Sequence, residues 1–372
     1  MKQHDNLFLN LLQMSALDRE LKTNFKIPTV EPITESAWPS LLAMAQQHKV
    51  FRSVYRASLD HQSDQNRAFQ HVYKITTSMQ TAMALQWQEL ERQLHHAGIQ
   101  ALVIKGPALS AQLYHDASVR GFTDIDIIVD PENLDACTAV CRKAGFTTAS
   151  DLSALRKRYP LFVRCCVQSQ VRHLVFTSPK SPFRIEVHTK LLDYAPLRMK
   201  EYLGPKMLVQ RSTSVAWHGT TVQTLSLVDH ALLMIDHGTK HGWCLLHWVL
   251  DAAAFLTTDD QHVHEQVATL STATNRARHV DLMIALVQSL FAVRIPEPYL
   301  PLLRPQSRWR KMQLNYVKNN LLSGGSNTMA SLSRLIIYLY GYKCVMATSW
   351  RERVSLVCTP LRVAPMDMQR IK

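Results

Sequence analysis

No window of the chain reaches the ~18 uninterrupted apolar residues that a membrane-spanning helix requires, so stable membrane insertion is not expected. The opening stretch MKQHDNLFLNLLQMSALDRE has a short apolar patch broken by Asn and Gln and lacks a small-residue cleavage site, so it does not read as a signal peptide. Together these features predict a cytoplasmic protein. The seven cysteines, Cys137, Cys141, Cys165, Cys166, Cys244, Cys344 and Cys358, form no CxxC pair and no zinc-ribbon spacing. Reduced, mostly buried thiols are expected. Cys137 and Cys141 share a helix face at i, i+4 but have neither a nearby His nor a second pair. Internal repeats and low-complexity segments are also lacking.

What is present is a long chain with a large apolar fraction. Its 372 residues, 47% of them hydrophobic, suffice for two or three domains. A net charge of +13 favours anionic partners such as nucleotides, phosphorylated substrates or nucleic acid. The excess is spread along the chain. Its clearest runs, RPQSRWRK (304–311) and Arg351 to Arg353, have the composition of solvated faces.

The pattern divides the chain into an N-terminal helical region (1–85), a mixed core (86–222) and a C-terminal helical domain (223–372). Residues Ala68 to Ala97 contain neither Gly nor Pro and carry apolar residues at helical spacing. Gly98 closes that helix, QALVIKG forms a short strand, and Pro107 opens another helix that runs to Leu113 or Tyr114. The strand DIDIIVD follows, then a helix with Pro131 near its start and Gly145 at its end. VRHLVFTS and FRIEVHTKL read as two strands of an antiparallel hairpin joined by PKSP. TLSLVDHALLMIDHGTKH opens on Ser226 as N-cap, and helical patterns recur to about Tyr342, before a tail containing Pro360 and Pro365. An α+β fold with a mixed sheet and helices packed on one side is the economical architecture.

Two aspartates inside an apolar strand need a reason, because Asp is a poor strand former and costly to bury. Residues two apart on a strand share a face, so Asp124 and Asp126 project together while Ile125, Ile127 and Val129 point the other way. Like charges so close raise each other's pKa unless a cation sits between them, and hard divalent ions take such oxygen ligands. An ion pair with Arg120 at a strand end is the plainer alternative. Gly106 stands at a strand-to-helix junction one strand earlier, where backbone N–H groups can cradle phosphate. Glu186 in RIEVH supplies a third acid on the same face as Arg184 and His188. Two aspartates and a third carboxylate on a neighbouring strand suit metal-assisted phosphoryl or nucleotidyl transfer.

The run IKGPALSAQLYHDASVRGFTDIDIIVD, Ile104 to Asp130, resembles the DNA polymerase beta-like nucleotidyltransferase superfamily, and within it a bacterial family of uncharacterised nucleotidyltransferases. Lys105, Gly106, Leu113, Tyr114, Arg120, Asp124, Ile125 and Asp126 match its pattern in order. LSLVDHALLMIDHGTKHGWCLLHWVLDAA is similar to the family's downstream helical signature at His237, Lys240, His241, Trp243, Trp248 and Asp251, and RIEVH has its acid–apolar–His order. The likeness spans roughly residues 85 to 256. It departs from the wider superfamily in having Gly106-Pro107 for Gly-Ser, which removes one N–H and a hydroxyl from the cradle, and in having Glu186 where many relatives have Asp.

The resemblance implies a polymerase beta-like sheet, an NTP bound with Mg²⁺ or Mn²⁺ at Asp124 and Asp126, in-line attack on the alpha phosphorus and release of pyrophosphate. Glu186 would ligate the ion on the attacking side or act as base. Lys105, Gly106, Arg120 and His188 would contact the nucleotide or its phosphates. The acceptor is open: small molecule, peptide, protein or RNA. Other classes stay open too, namely a non-catalytic nucleotide- or nucleic-acid-binding module with a basic surface, and another transfer from a nucleotide-linked donor.

His230, His237 and His241 recur at i, i+7 and i+11, within about 40° of one another on a helix wheel, with Lys240 about 60° from His237. Phosphate or acceptor binding, a zinc site of HxxxH type and satisfied interhelix histidines all remain readings of this face. Asp236 is placed to pair with Lys240. Trp243 and Trp248 read as core.

Overall fold

The computed structural model describes residues 38–58, 66–148, 173–192 except 182, and 195–322 except 292 and 306. The N-terminal stretch, Cys165, Cys166, Cys344, Cys358, Arg351 to Arg353 and the proline-bearing tail lie outside the described residues. The chain divides into two compact units, one of residues 1–193 and 200–231, the other of residues 194–199 and 232–372.

In the first unit, α1 (Trp38–Gln47) and α2 (Phe51–Ser58) precede α3 (Asn66–His96). The apolar residues Met83, Trp87, Leu90 and Leu94 fall at i, i+4, i+7 and i+11, so one face of α3 is buried. The helix stops where the sequence places its glycine: Gly98 adopts φ +71°, and Ile99 N–H donates to Leu94 C=O at 2.9 Å, a Schellman closure.

The chain then builds β1 (Ala101–Ile104), α4 (Gly106–Tyr114), β2 (Asp124–Val129), a 3₁₀ turn (Pro131–Asn133) and α5 (Leu134–Lys143). After these come β3 (Thr147–Thr148), β4 (His173–Thr177), β5 (Arg184–His188), α6 (Pro205–Gln210), β6 (Thr213–Trp217) and β7 (Thr220–Thr224). Among the described residues these strands form one seven-stranded mixed sheet, ordered β3-β4-β5-β2-β1-β7-β6. The β4–β5 pair is antiparallel, as the turn spacing predicts. The β6–β7 hairpin is an addition to the sequence reading. Its two-residue turn, His218 at φ +45° and Gly219 at φ +80°, has the paired positive φ of a type I′ connection.

Period-two alternation sorts the sheet's side chains. Ala101 and Val103 of β1, Ile125, Ile127 and Val129 of β2, Leu174 and Phe176 of β4, and Ile185 and Val187 of β5 join the α3 face and Cys137 and Cys141 of α5 in one apolar cluster. Both of these thiols are buried and free, as expected. The residues between them on β2, β4 and β5 are therefore turned to the opposite face, where Asp124, Asp126, Glu186 and His188 stand. α7 (Leu227–Lys240) begins in this unit with the expected Ser226 N-cap, whose Oγ accepts from Asp229 N–H at 3.2 Å.

The second unit is helical: the end of α7, then α8 (Leu246–Leu256), α9 (Gln261–Ala273), α10 (Ala277–Leu290), a 3₁₀ segment (Glu297–Leu302) and α11 (Arg308–Leu322). Every residue of α8 is buried, as befits a helix apolar on all sides. Trp243 N–H closes α7 by donating to Gly238 C=O at 2.8 Å, which folds the buried Trp243 ring back over Gly238. A Cβ at Gly238 would lie 2.7 Å from that ring. Ala for Gly in an open helix gains about 1 kcal/mol. Here overpacking wins, and Gly238→Ala is expected to lose about 1–3 kcal/mol, read as a lowered urea midpoint with an unchanged m-value.

Candidate active site

Two strand ends meet at the candidate site. β1 runs antiparallel to β2 with Ile104 opposite Asp126, and β5 runs parallel to β2 with Asp124 opposite Arg184 and Asp126 opposite Glu186. The register thus places Asp124 and Asp126 beside Arg184 and Glu186 on one sheet face, and Lys105 just beyond the end of β1. Lys105 Nζ lies 2.8 Å from Asp126 Oδ1, His188 Nε2 lies 2.8 Å from the same oxygen, and Arg184 reaches Asp124 Oδ2 at 3.3 Å. Across the β4–β5 ladder, His173 Nε2 is 3.6 Å from Glu186 Oε2.

The carboxylates differ in character. Burial opposes ionisation of Asp126, but the Lys105 charge and the hydrogen bond and charge of His188 outweigh it and hold the carboxyl well below its usual range. Glu186 moves the opposite way: burial raises it first, and then the negative charges of Asp126 and Asp124. Neighbouring acids pushed apart in this manner are suited to different protonation tasks.

Lys105 is held at both ends. Its backbone adopts φ +56°, ψ −145°, a conformation costly for a residue with a side chain, and Gly106 follows at φ +38°. A Cβ on Gly106 would meet only ordinary contact with Phe122 at 3.7 Å, so glycine answers a backbone need there and not a lack of space. Lys105 N–H donates to His230 Nε2 at 3.1 Å, and His230 Nδ1 lies 2.6 Å from Gln112 Oε1. One N–H of the expected phosphate cradle is therefore engaged by a histidine, and Pro107 has none to offer.

The loop into β2 is pinned through its backbone. Ser110 Oγ donates to Asp116 C=O at 2.7 Å and accepts from Arg120 N–H at 3.1 Å, while Gln80 Nε2 donates to Arg120 C=O at 3.4 Å. At the two aspartates, Lys105 and His188 meet Asp126 and Arg184 meets Asp124, so counter-charge reaches them from the end of β1 and from β5.

The histidines of α7 meet different neighbours along the helix. His230 belongs to the first unit and is buried against the β1–α4 junction. His237 and His241 belong to the second, where their rings lie 4.5 Å apart and pack on Trp248 at 5.1 and 5.6 Å. Lys240 ends the helix there. Asp236, expected to serve Lys240, is held by Arg276 Nε at 2.7 Å. Trp243 and Trp248 are buried, as core aromatics. Of the basic run at 304–311, Arg304 and Arg310 both bind the buried Asp281, so that run is partly internal.

Sequence reasoning missed the roles of His230, Gln112 and His173. His230 and Gln112 carry a signal only once β1 and α7 are paired in space. His173 was legible as the cross-strand partner of His188 had the hairpin register been followed to its end.

The family model described as uncharacterised nucleotidyltransferase matches residues 34–292, more than half of the chain. The chain belongs to this family. The match extends beyond the motif-bearing stretch on both sides and supports a general nucleotidyl transfer function. No curated protein and no solved structure matches the chain. Among the described residues no helix is long and apolar enough to cross a membrane.

Burial, and then the Arg120 and Lys105 charges, depress His230 from 6.5 to about 3. Below pH 6.5 the unfolded chain takes up a proton that the folded protein refuses, so this residue withdraws stability as pH falls toward 3. The loss approaches ~1.4 kcal/mol per pH unit. His230→Gln keeps an acceptor for Lys105 N–H without a titrating group. Its unfolding free energy, followed by urea titration between pH 6.5 and about 5, is expected to fall less steeply than that of the wild type.

Proposed function

We propose that this protein transfers an NMP group from an NTP to an acceptor hydroxyl or phosphate and releases pyrophosphate. The observation that carries the reading is the register of β2 and β5, which sets Glu186 opposite Asp126 on the face that Asp124 shares. The residues fit a divalent cation on electrostatic grounds: burial first, and then the charges of Asp126 and Asp124, push the Glu186 carboxyl up, and a cation relieves the repulsive part. In this reading Asp124, Asp126 and Glu186 hold Mg²⁺, or Mn²⁺, which would supply Lewis-acid polarisation of the phosphates.

The protein's own groups do the rest. Lys105 balances Asp126 and is placed to give its ammonium to a phosphate when an NTP enters, with the Lys105–Gly106 turn and Arg120 beside it. Glu186 either completes the ligand set on the attacking side or, where it does not ligate the ion, takes the proton from an acceptor hydroxyl. His188 orients Asp126 through Nε2. His237, Lys240 and His241 are proposed to contact acceptor or phosphate. The acceptor is a small molecule, peptide, protein or RNA, and the setting is the cytoplasm.

Calorimetry of each NTP with Mg²⁺ or Mn²⁺ tests the reading. Metal-dependent binding to the wild type is expected, with a loss of at least tenfold in Asp124→Asn/Asp126→Asn. Binding that survives the double substitution would move the nucleotide elsewhere. Once an acceptor is found, pyrophosphate is the expected product, whereas a released nucleoside diphosphate would mean transfer from a nucleotide-linked donor. Glu186→Gln is expected to lower turnover ~10²–10⁴-fold with NTP affinity less affected.

A further inference from the structure

We propose that the β4–β5 hairpin carries a site for a borderline divalent cation of the zinc class, held by His173, Glu186 and His188. Among the described residues, these three offer one ligand atom each within 4.8 Å of one another. The sheet creates the cluster directly. His173 and His188 are a registered cross-strand pair with ring centroids 5.0 Å apart, and Glu186 lies two residues before His188 on the same face, diagonal to His173.

Three features point to an ion rather than to a plain histidine–carboxylate pair. The first is spacing. Two ligands each ~2.1 Å from a tetrahedral ion stand about 3.4 Å apart. His173 Nε2 and Glu186 Oε2 are separated by 3.6 Å, longer than a hydrogen bond and close to that value. The second is orientation. A metal-ligating imidazole commonly gives its other N–H to a carboxylate, and His188 has that partner in Asp126 Oδ1 at 2.8 Å.

The third is access. The side chains of His173, Glu186 and His188 are 33%, 17% and 14% exposed, enough for an ion to enter. Three protein ligands would leave an open position, as in reactive zinc centres and unlike closed structural ones. Ligand chemistry then sets the preference. Two imidazoles with one carboxylate suit Zn²⁺ or Co²⁺, whereas Mg²⁺ demands oxygen ligands.

Because Glu186 also belongs to the cation set of the nucleotidyl-transfer reading, the inference rests on that reading where it names the ion beside the aspartates. The binding measurement itself needs no nucleotide. Full-length protein without a polyhistidine tag, stripped by chelator and dialysed, is titrated with Zn²⁺ alone by calorimetry in the presence of excess Mg²⁺. One site per chain is expected in the wild type. It is expected to weaken at least tenfold in His173→Ala and His188→Gln and to persist in Asp124→Asn.

His173→Gln, at the most exposed of the three positions, guards against misfolding. It is expected to melt like the wild type without metal but to lose the stabilisation that Zn²⁺ gives. Stripped protein loaded with Co²⁺ is expected to show visible absorption bands that the His173 variants lack. A wild type and a His173→Ala protein with the same Zn²⁺ isotherm would overturn the site, as would Mg²⁺ competing at equal concentration. Zinc binding without NTP binding would leave the site standing and remove the nucleotidyl-transfer reading. NTP binding without zinc binding would do the reverse.

Discussion

The contact between the Lys105 ammonium and the buried carboxylate of Asp126 governs the chemistry of this face. An aspartate in an apolar strand is tolerable only with compensation close at hand, and the β1–β2 register delivers it by ending β1 opposite Asp126. Compensation has a backbone condition. Lys105 must leave β1 through a left-handed conformation, and the surrounding structure holds it there with an imidazole nitrogen from α7 and a glycine immediately after. His230 is thus less a ligand-binding group than the clamp that makes the lysine's position affordable.

The same contact separates the acids. With Lys105 and His188 both at Asp126, that carboxylate stays ionised, and its charge is felt by Glu186 across the parallel pairing. The sheet therefore presents a graded set of carboxyl groups without any unusual residue type. The gradient follows from which neighbour each strand position is given, which is why the order β4-β5-β2-β1 matters more to the site than the identity of any one helix.

Much of this was legible because strands expose their logic at period two. DIDIIVD and RIEVH show in sequence which residues share a face, and Gly98, Pro107 and Ser226 mark helix ends for steric and hydrogen-bonding reasons that need no tertiary context. What was not legible depends on pairing at long range. The helical wheel groups His230 with His237 and His241, yet a helix fourteen residues long can serve different neighbours at its two ends, and here it does. Asp236 has a candidate charge partner four residues on in Lys240, but it is Arg276, forty residues away in the sequence, that holds it, at 2.7 Å. The β6–β7 hairpin carries a weak signal in sequence, because its short strands hold few apolar residues and β7 is mostly threonine.

The register that builds the face also limits how the gene can change. On β2 and β5 each acid is interleaved with a residue of the apolar cluster, so inserting or deleting a single codon within either strand would exchange the two sets. Carboxylates would enter the core and isoleucines would line the site. Length variation is therefore confined to the connections, and chemistry and fold share one reading frame along these ten or so residues.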